Sequence, residues 1–260
     1  MRHRPAVALT LGLVKASPDK QLRLLDLAAL DTELGRLEHR RRSLPEIAEL
    51  DKLGKQAEQT SNALVAANTE LADLSSDQTR AERDVDQVRV RIDKDRQRLD
   101  QGQVSSAREL ESLQSEVTSL LRRQSDLEEI VLELMEKRET IEARRDSHAA
   151  RQEELSGTVG EVTARRDAAL AEIDEQAGKA SSSRAAIAEQ IPADLLALYD
   201  KLRTQHGGLG AAALHRGRCQ GCNLSLNNVD LAAIRAAAPD EVLRCEECRR
   251  ILVRTPESGL

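Results

Sequence analysis

Aromatic side chains are almost absent from this chain of 260 residues, which has no Phe, no Trp and a single Tyr, Tyr199. Aromatic residues dominate the cores of ordinary globular domains. With 32% charged residues and long stretches of Ala, Glu, Leu and Arg, the composition is typical of an elongated helical protein. We therefore expect a mainly α fold whose apolar surface is a narrow seam.

Long apolar runs and a strong excess of one charge are also lacking. No stretch of 18 consecutive apolar residues occurs, so no membrane span is expected. The net charge of −6 gives neither the basic excess of a nucleic-acid-binding protein nor a disordered acidic tail. The sequence shows no phosphate-binding loop and no acid/base constellation, so we predict a non-enzymatic protein without catalytic residues.

The first residues of the chain imitate a signal peptide, because Arg2 and Arg4 precede an apolar run over residues 6–14. The run is short, and Lys15 interrupts the would-be cleavage region. We expect residues 1–14 to be disordered or to reflect a start codon placed too far upstream, with Val14 as the true initiator. Export is the alternative to the cytoplasmic location that we expect.

All four cysteines occur in two Cys-x-x-Cys pairs, Cys219 with Cys222 and Cys245 with Cys248, which are separated by 22 residues. This spacing is typical of a structural zinc site, because two tight turns supply four thiolates to a tetrahedral ion. Two redox-active pairs are the alternative, but such pairs follow a strand in a βαβ pattern that is not visible here. Four thiolates leave no open coordination position, so the single Zn²⁺ is expected to be structural. Thiolate ligands also suit a reducing compartment.

Two heptad series of apolar residues predict a coiled coil, one from Leu50 to Leu99 and one from Leu110 to Ile173. Residues 101–107 break the phase between them, and Ser105 or Ser106 can cap a helix that begins near Ala107. We interpret residues 101–107 as the tip of an antiparallel hairpin. The alternative is one continuous helix that dimerises in parallel with a second chain.

Several positions of the predicted seam are polar, and two interpretations of them remain open. They set the register of the helices, or they mark places where the seam is hydrated and loosely packed. We favour a hydrated seam, because they outnumber the one or two polar residues that register requires. His148 is accordingly not expected to be a ligand or a catalyst. The polar positions are Gln78, Asp95, Gln124, Arg138, Arg145, His148 and Gln152.

Shorter helices are predicted on either side of the hairpin, and we assign residues 15–205 to one helical domain. A stripe of Leu22, Leu25, Ala29 or Leu30, Leu34 and Leu37 indicates the first helix. The sequence Ser43-Leu44-Pro45-Glu46 predicts a capping box that starts the next helix. Gly178 and the serines at 181–183 are expected to loosen the return helix, and a short helix should follow over residues 193–203. The two short helices are expected to pack on each other with Tyr199 in their core.

Residues 206–260 are predicted to form a small zinc ribbon. An apolar run over residues 209–214 leads into the first cysteine pair, and residues 242–243 and 251–253 are strand-like before and after the second pair. Asn227 or Asn228 is expected to cap a helix over residues 229–237. A domain of this size without aromatic residues buries too little surface to fold alone. Zinc binding, worth about 10–16 kcal/mol at structural sites, would supply the missing stability.

With these motifs, the chain resembles the bacterial family that joins a coiled-coil hairpin to a C4-type zinc ribbon, over residues 15–256. The resemblance implies zinc at the four cysteines, a helical-hairpin fold and a cytoplasmic, non-enzymatic role. Members are associated with flagellar regulation and type III secretion, and they bind proteins or, in some cases, RNA. Arg249 departs from the family's usual Gly after the last cysteine, so a left-handed backbone there would cost about 1 kcal/mol and tilt the turn. The matching stretches are residues 21–37, 107–114, 198–203, 219–222 and 245–252.

Two functions follow as hypotheses. The first is a non-catalytic adaptor, a monomer or weak dimer, that binds protein partners through the coiled coil or the ribbon and does not bind membranes. The alternative is a ribbon that binds RNA or DNA through an arginine cluster around the cysteine turns. Six acidic residues nearly cancel the seven arginines of residues 209–260, and no aromatic residue there can stack on bases. The cluster comprises Arg216, Arg218, Arg249, Arg250 and Arg254.

Overall fold

The computed structural model describes residues 14–260, which form two compact units. One unit comprises residues 46–164, and the other joins residues 14–45 with residues 165–260. Both units are built mainly from helices, so the predicted mainly α fold is confirmed. The predictions for residues 1–13 lie outside the described residues. Within the described part, none of the helices is long and apolar enough to cross a membrane.

The unit of residues 46–164 is an antiparallel coiled coil of two helices. Helix α2 spans Pro45–Asp100, and α3 spans Ala107–Ala188 and enters the other unit at residue 165. Ion pairs link the helices within one chain, and their order along α3 is the reverse of their order along α2. The hairpin prediction is confirmed, and the continuous parallel helix is wrong. The pairs include Glu70–Arg144, Arg89–Glu128 at 2.6 Å, Arg91–Glu116, and Arg98–Glu109 at 3.5 Å.

The predicted seam is the buried face of this coiled coil. Every predicted seam residue of α2 is buried or half-buried, and in α3 only Leu110, in the first turn, is exposed. The 3.5-residue repeat keeps the same side of each helix against its partner over the whole length. The most deeply buried residues of the unit are Ala67, Val85, Ile92, Leu113, Leu127, Leu155 and Val162.

The polar seam positions are half-exposed, with Asp95 as the exception. Arg138 donates a hydrogen bond of 3.0 Å to the Oε1 atom of Gln78 on the opposite helix. Asp95 is buried, and its Oδ2 atom has no hydrogen-bond partner among the described residues. The exposure agrees with a hydrated seam, while the Gln78–Arg138 bond also links the helices in one register.

The turn between α2 and α3 covers residues 101–106, where Gly102 has φ of +62°. Ser106 Oγ accepts a hydrogen bond from the Glu109 backbone N–H at 3.2 Å. Glu109 in turn accepts bonds from the backbone N–H of Ser105 at 2.9 Å and from its hydroxyl at 2.7 Å. These bonds satisfy backbone donors that the first turn of α3 would leave free, so the predicted cap is confirmed.

In the other unit, α1 spans Pro18–Arg42 and α4 spans Ala193–Gln205. Leu24 and Leu27 of α1 share a core with Leu195, Tyr199 and Leu202 of α4. The packing of the two short helices, with Tyr199 fully buried, agrees with the prediction.

The predicted apolar stripe of α1 is correct only in part: Leu37 is buried and Leu25 packs against the core, but the stripe omits the buried Leu24 and Leu27. Leu22 is 37% exposed, whereas Leu24, Leu27, Gln21 and Asp31 are buried. The buried face also includes Gln21 and Asp31, which form hydrogen bonds. Hydrophobic periodicity selects only apolar residues, so it does not identify these two.

Two predicted helix signals act differently from expectation. Ser43 ends α1 instead of starting α2, because its hydroxyl donates to the His39 carbonyl at 2.8 Å and α2 begins only at Pro45. The predicted capping box is therefore wrong. Gly178 lies inside α3, which continues unbroken to Ala188. Packing offsets the cost of about 1 kcal/mol for a helical glycine, since Ala180 and Ile173 on either side are buried.

The ribbon contains a four-stranded sheet in the order β2-β1-β4-β3. The parallel pair β1/β4 brings Ala212 opposite Leu252, and the antiparallel pairs β1/β2 and β3/β4 flank it. Asn227 caps α5 by accepting bonds from two backbone N–H groups, as predicted. The elements are β1 Ala211–His215, β2 Arg218–Cys219, α5 Asn228–Ala236, β3 Leu243–Arg244 and β4 Ile251–Val253.

Candidate metal centre

Two similar turns present the four cysteines. Knuckle one, residues 219–222, begins at the last residue of β2, and knuckle two, residues 245–248, follows β3. The residue after each knuckle has a left-handed backbone, with φ of +60° at both Asn223 and Arg249. In each turn that residue's N–H bonds the carbonyl of the first cysteine at 2.8 Å. The left-handed backbone expected at Arg249 is present, while this bond shows no tilt of knuckle two.

The four sulfur atoms form a compact cluster, with all Sγ atoms within 4.8 Å of one another. The Cys219–Cys248 and Cys222–Cys245 sulfur distances are both 3.9 Å. Zn–S bonds of about 2.3 Å in a tetrahedron place sulfurs about 3.8 Å apart. The chemistry and spacing of these donors therefore fit one Zn²⁺ with four protein ligands. Among residues 14–260, no second group of three or more metal-ligating side chains comes together.

The thiols differ in acidity for identifiable reasons. Burial raises the pKa of Cys219 to about 12, although the backbone amides of Cys222 and Gly221 act in the opposite direction. Burial likewise raises the pKa of Cys245. For Cys248, burial is outweighed by hydrogen bonds from the backbone and side chain of Arg250, and its pKa is lowered to about 7. Zn²⁺ binds thiolates, so metal binding must release protons that burial would otherwise retain.

The arginines of the predicted cluster divide into two groups. Arg216, Arg218 and Arg249 are exposed, and Arg249 pairs with Glu246 at 3.4 Å. Arg254 instead donates to the backbone carbonyls of Ala237 at 2.9 Å and Ala238 at 2.6 Å, beyond the C-terminal end of α5.

Arg250 also bonds internally, to the backbone carbonyls of Leu209, Gly221 and His206. These bonds occupy the guanidinium groups that the sequence suggested for nucleic-acid contact. The contact role of the arginine cluster stays a prediction, and the exposed members Arg216, Arg218 and Arg249 are its accessible part.

A second charged cluster, which sequence reasoning missed, lies in the core of the same unit. The Asp31 side chain is fully buried and accepts a bond from the Tyr199 hydroxyl at 2.7 Å. Arg184 Nε lies 2.8 Å from Asp31, and an Arg203 guanidinium nitrogen lies 3.0 Å from it. The cluster joins α1, α3 and α4. The only signal in the sequence was a carboxylate one turn after Leu27 on the same helix face.

Taken together, the sulfur geometry and the antiparallel coil define a class of protein, a coiled-coil hairpin that carries a C4-type zinc ribbon. The model of the CT398-like coiled coil hairpin domain matches residues 27–207, and that of the C4-type zinc ribbon domain matches residues 218–252. The chain belongs to this family.

Relatives and solved structures share this organisation. The Mycobacterium tuberculosis protein Rv2229c is 36% identical over 241 residues, covering 93% of this chain and 98% of its own. The Mycobacterium leprae protein ML1638 is 31% identical, with 90% and 95% coverage. A Mycobacterium smegmatis structure matches with a TM-score of 0.82 at 37% identity, covering 93% of this chain and all of its own. CT398 from Chlamydia trachomatis shares the fold, with a TM-score of 0.70 at 19% identity and coverage of 91% and 98%.

Proposed function

We propose that this protein is a non-catalytic adaptor whose coiled-coil unit binds a helix of a partner protein. The supporting observation is a groove of about 370 Å³ along the coil, with Val85, Val131 and Leu132 in its lining. Leu132 is 60% exposed, and Met135, one turn further along α3, is 43% exposed. Apolar side chains exposed together on a charged surface are typical of interaction sites.

The charges around the groove indicate what kind of helix fits. Glu82, Asp86, Arg89 and Glu128 line it together with the apolar residues. Arg89 pairs with Glu128 at 2.6 Å and with Asp86 at 3.8 Å. One guanidinium cannot neutralise the carboxylates of Glu82, Asp86 and Glu128, so the rim keeps a net negative charge. An amphipathic helix with Lys or Arg beside its apolar stripe is the complementary partner. The four-thiolate zinc centre supplies no open coordination position, in agreement with a structural role.

Site-specific photo-crosslinking in the native cells tests this proposal. A photoreactive residue at position 132 should crosslink to a protein, and Asp86→Lys should abolish the adduct because it reverses a rim charge. The matched control places the same group at the exposed Lys137, which lies on the other side of α3 from Leu132. An adduct that forms equally at position 137, or that nuclease removes, would contradict the proposal.

Nucleic-acid binding by the ribbon is the competing function, and Arg216 and Arg218 favour it because both are exposed beside knuckle one. We expect only non-specific RNA affinity, with Kd of about 10⁻⁴–10⁻⁶ M at physiological salt. Sub-micromolar binding that falls by about 0.7 log units per decade of salt for each phosphate contact would favour the ribbon as the functional site. In that case, replacing Arg216 and Arg218 by Ala should flatten the salt dependence.

A further inference from the structure

Arg250 connects three parts of the molecule through one side chain. Its Nε donates to the Leu209 carbonyl at 2.9 Å, one terminal nitrogen donates to the His206 carbonyl at 3.1 Å, and the other lies 3.3 Å from the Gly221 carbonyl. Gly221 belongs to knuckle one, and Arg250 itself follows knuckle two. His206 and Leu209 belong to the linker, residues 206–210, which joins α4 to β1. The planar guanidinium suits such a set, because its donors point in fixed directions.

The linker lies directly against α4. A Cβ added at Gly210 would lie 2.5 Å from the Tyr199 carbonyl oxygen, so no larger residue fits there without a shift. The Gly210 carbonyl also accepts a bond of 3.0 Å from the Ile251 N–H, which extends the contact to β4. The position of the linker therefore determines how the sheet packs on α4.

The stem of Arg250 is held equally closely by knuckle one. A Cβ added at Gly221 would lie 3.0 Å from Arg250 Cδ and 3.6 Å from Cys219 Sγ. Arg250 can occupy this space only while knuckle one keeps its turn, and zinc coordination by Cys219 and Cys222 fixes that turn. The metal centre and the guanidinium thus constrain each other through direct packing.

Electrostatic attraction between Arg250 and the zinc–thiolate centre adds to this packing. Four thiolates and one Zn²⁺ carry a formal charge of −2, and the Arg250 guanidinium lies beside knuckle one, 3.3 Å from the Gly221 carbonyl. The positive charge of Arg250 stabilises a negatively charged centre at such short range. Outer residues that orient metal ligands typically contribute about 10- to 100-fold to metal affinity.

We propose that Arg250 is a positioning residue of the zinc centre that couples zinc binding to the placement of the linker against α4. Zinc coordination fixes the turn of knuckle one, and the Arg250 stem packs against that turn. The Arg250 guanidinium then hydrogen-bonds the carbonyls of His206 and Leu209. Loss of zinc releases the linker, and loss of the guanidinium weakens zinc binding. The inference rests on the metal centre and is independent of the adaptor function.

The test compares Arg250→Gln and Arg250→Lys in the full chain, with the exposed Arg218→Gln as the matched control. Zinc affinity is measured by competition with a chromophoric chelator. We expect Arg250→Gln to lower zinc affinity 10- to 100-fold. Arg250→Lys should lower it less, because Lys keeps the positive charge but lacks the several directed donors of the guanidinium. Arg218→Gln should leave zinc affinity unchanged. In the cobalt-substituted protein, Arg250→Gln should also shift the sulfur-to-cobalt absorption band, because a positive charge beside the thiolates is lost.

Hydrogen exchange of the linker amides provides the second measurement. Chelation of zinc from the wild type should accelerate exchange in residues 206–210, and zinc-loaded Arg250→Gln should resemble that metal-free state. If Arg250→Gln does not fold, the same comparison with Arg250→Lys decides. Unchanged zinc affinity in both variants, or linker exchange that is indifferent to chelation, would overturn the proposal.

Discussion

Asp31 is a carboxylate with no solvent exposure of its side chain, and three donors from two other helices surround it. Arg184 is 20% exposed and also bonds Asp200 at 2.9 Å, so its charge is only partly hydrated. Removing one member of a buried charged cluster leaves the others unpaired, which costs more than the cluster contributes as a whole. The free energy of this core therefore depends on all of its members being present.

We expect Asp31→Asn to lower the free energy of unfolding by about 3 kcal/mol, because it leaves two arginines without their shared carboxylate. Urea denaturation followed by circular dichroism measures the loss. Asp26→Asn is the control, since Asp26 is half-exposed in its pair with Arg23 at 3.1 Å, and such pairs contribute at most about 1 kcal/mol. Equal losses in the two variants would contradict the importance of the buried cluster.

The phenol of Tyr199 predicts a loss of stability at alkaline pH. Burial, first, and then the hydrogen bond and charge of Asp31 raise the pKa of Tyr199 well above its usual range. The unfolded chain releases this proton above pH of about 10, while the folded chain retains it. The contribution is thus complete below that pH and declines above it, by up to about 1.4 kcal/mol per pH unit. Urea titrations between pH 9 and 11.5 should show a shallower decline for Tyr199→Phe than for the wild type.

The cysteines, unlike Asp31 and Arg250, could be assigned from the sequence, because Cys-x-x-Cys spacing encodes the geometry of a knuckle locally. Asp31 meets Arg184 across 153 positions, and Arg250 meets His206 across 44. No local pattern distinguishes such an arginine from a solvated one. The arginine cluster was accordingly predicted as one group, whereas the structure separates its exposed and internal members.

At the level of elements, the coiled coil depends on a seam of small and medium-sized apolar residues. Ile92 is 2% exposed within α2, whereas Val90, two positions earlier, is 54% exposed. Ile92 and Val90 therefore allow the effect of burial on stability to be compared within one turn of α2.

We expect Ile92→Ala to destabilise the unit of residues 46–164 by about 3 kcal/mol, since it removes buried methylene groups and leaves a cavity. Val90→Ala should change stability by no more than about 0.5 kcal/mol. Thermal unfolding monitored at 222 nm measures both. A similar loss for Val90→Ala would show that the seam is not the face on which the helices pack.

The heptads predicted α2 and α3 well because a repeat sustained over many turns leaves few alternative structures. Helix ends were harder to predict. Ser43 could cap the start of α2 or close the end of α1, and its bond to the His39 carbonyl selects the second role. Gly178 disfavours a helix locally, but burial of neighbouring residues outweighs that preference. In α1, the buried face also includes Gln21 and Asp31, which hydrophobic periodicity does not select.

On the scale of the whole molecule, the ribbon does not pack by itself. Ile251 and Val253 of β4 share a core with Leu24 of α1 and Tyr199 of α4. The sequence suggested a ribbon stabilised by zinc alone, because composition shows the shortage of apolar residues within it but not the helices that supply them.

Zinc removal should nevertheless unfold the ribbon while leaving most of the helical signal. We expect Cys245→Ser to lose the single bound zinc and the amide protection of residues 211–253, because the remaining thiolates no longer close the tetrahedron. Only the nine residues of α5 are helical in the ribbon, so ellipticity at 222 nm should fall only slightly. Ser225→Ala, at an exposed position, is the control. Stoichiometric zinc in Cys245→Ser would contradict four-thiolate binding.

Tyr199 is the only aromatic residue of the chain, and its fully buried hydroxyl is bonded to a carboxylate. The phenol is therefore a native fluorophore that lies in the core between α1 and α4. Its emission, excited near 275 nm, should report the packing of α1 on α4 without any introduced label. Unfolding of residues 46–164, which contain no Tyr or Trp, should leave that emission almost unchanged. Fluorescence would then follow one unit, whereas ellipticity follows the helices of both.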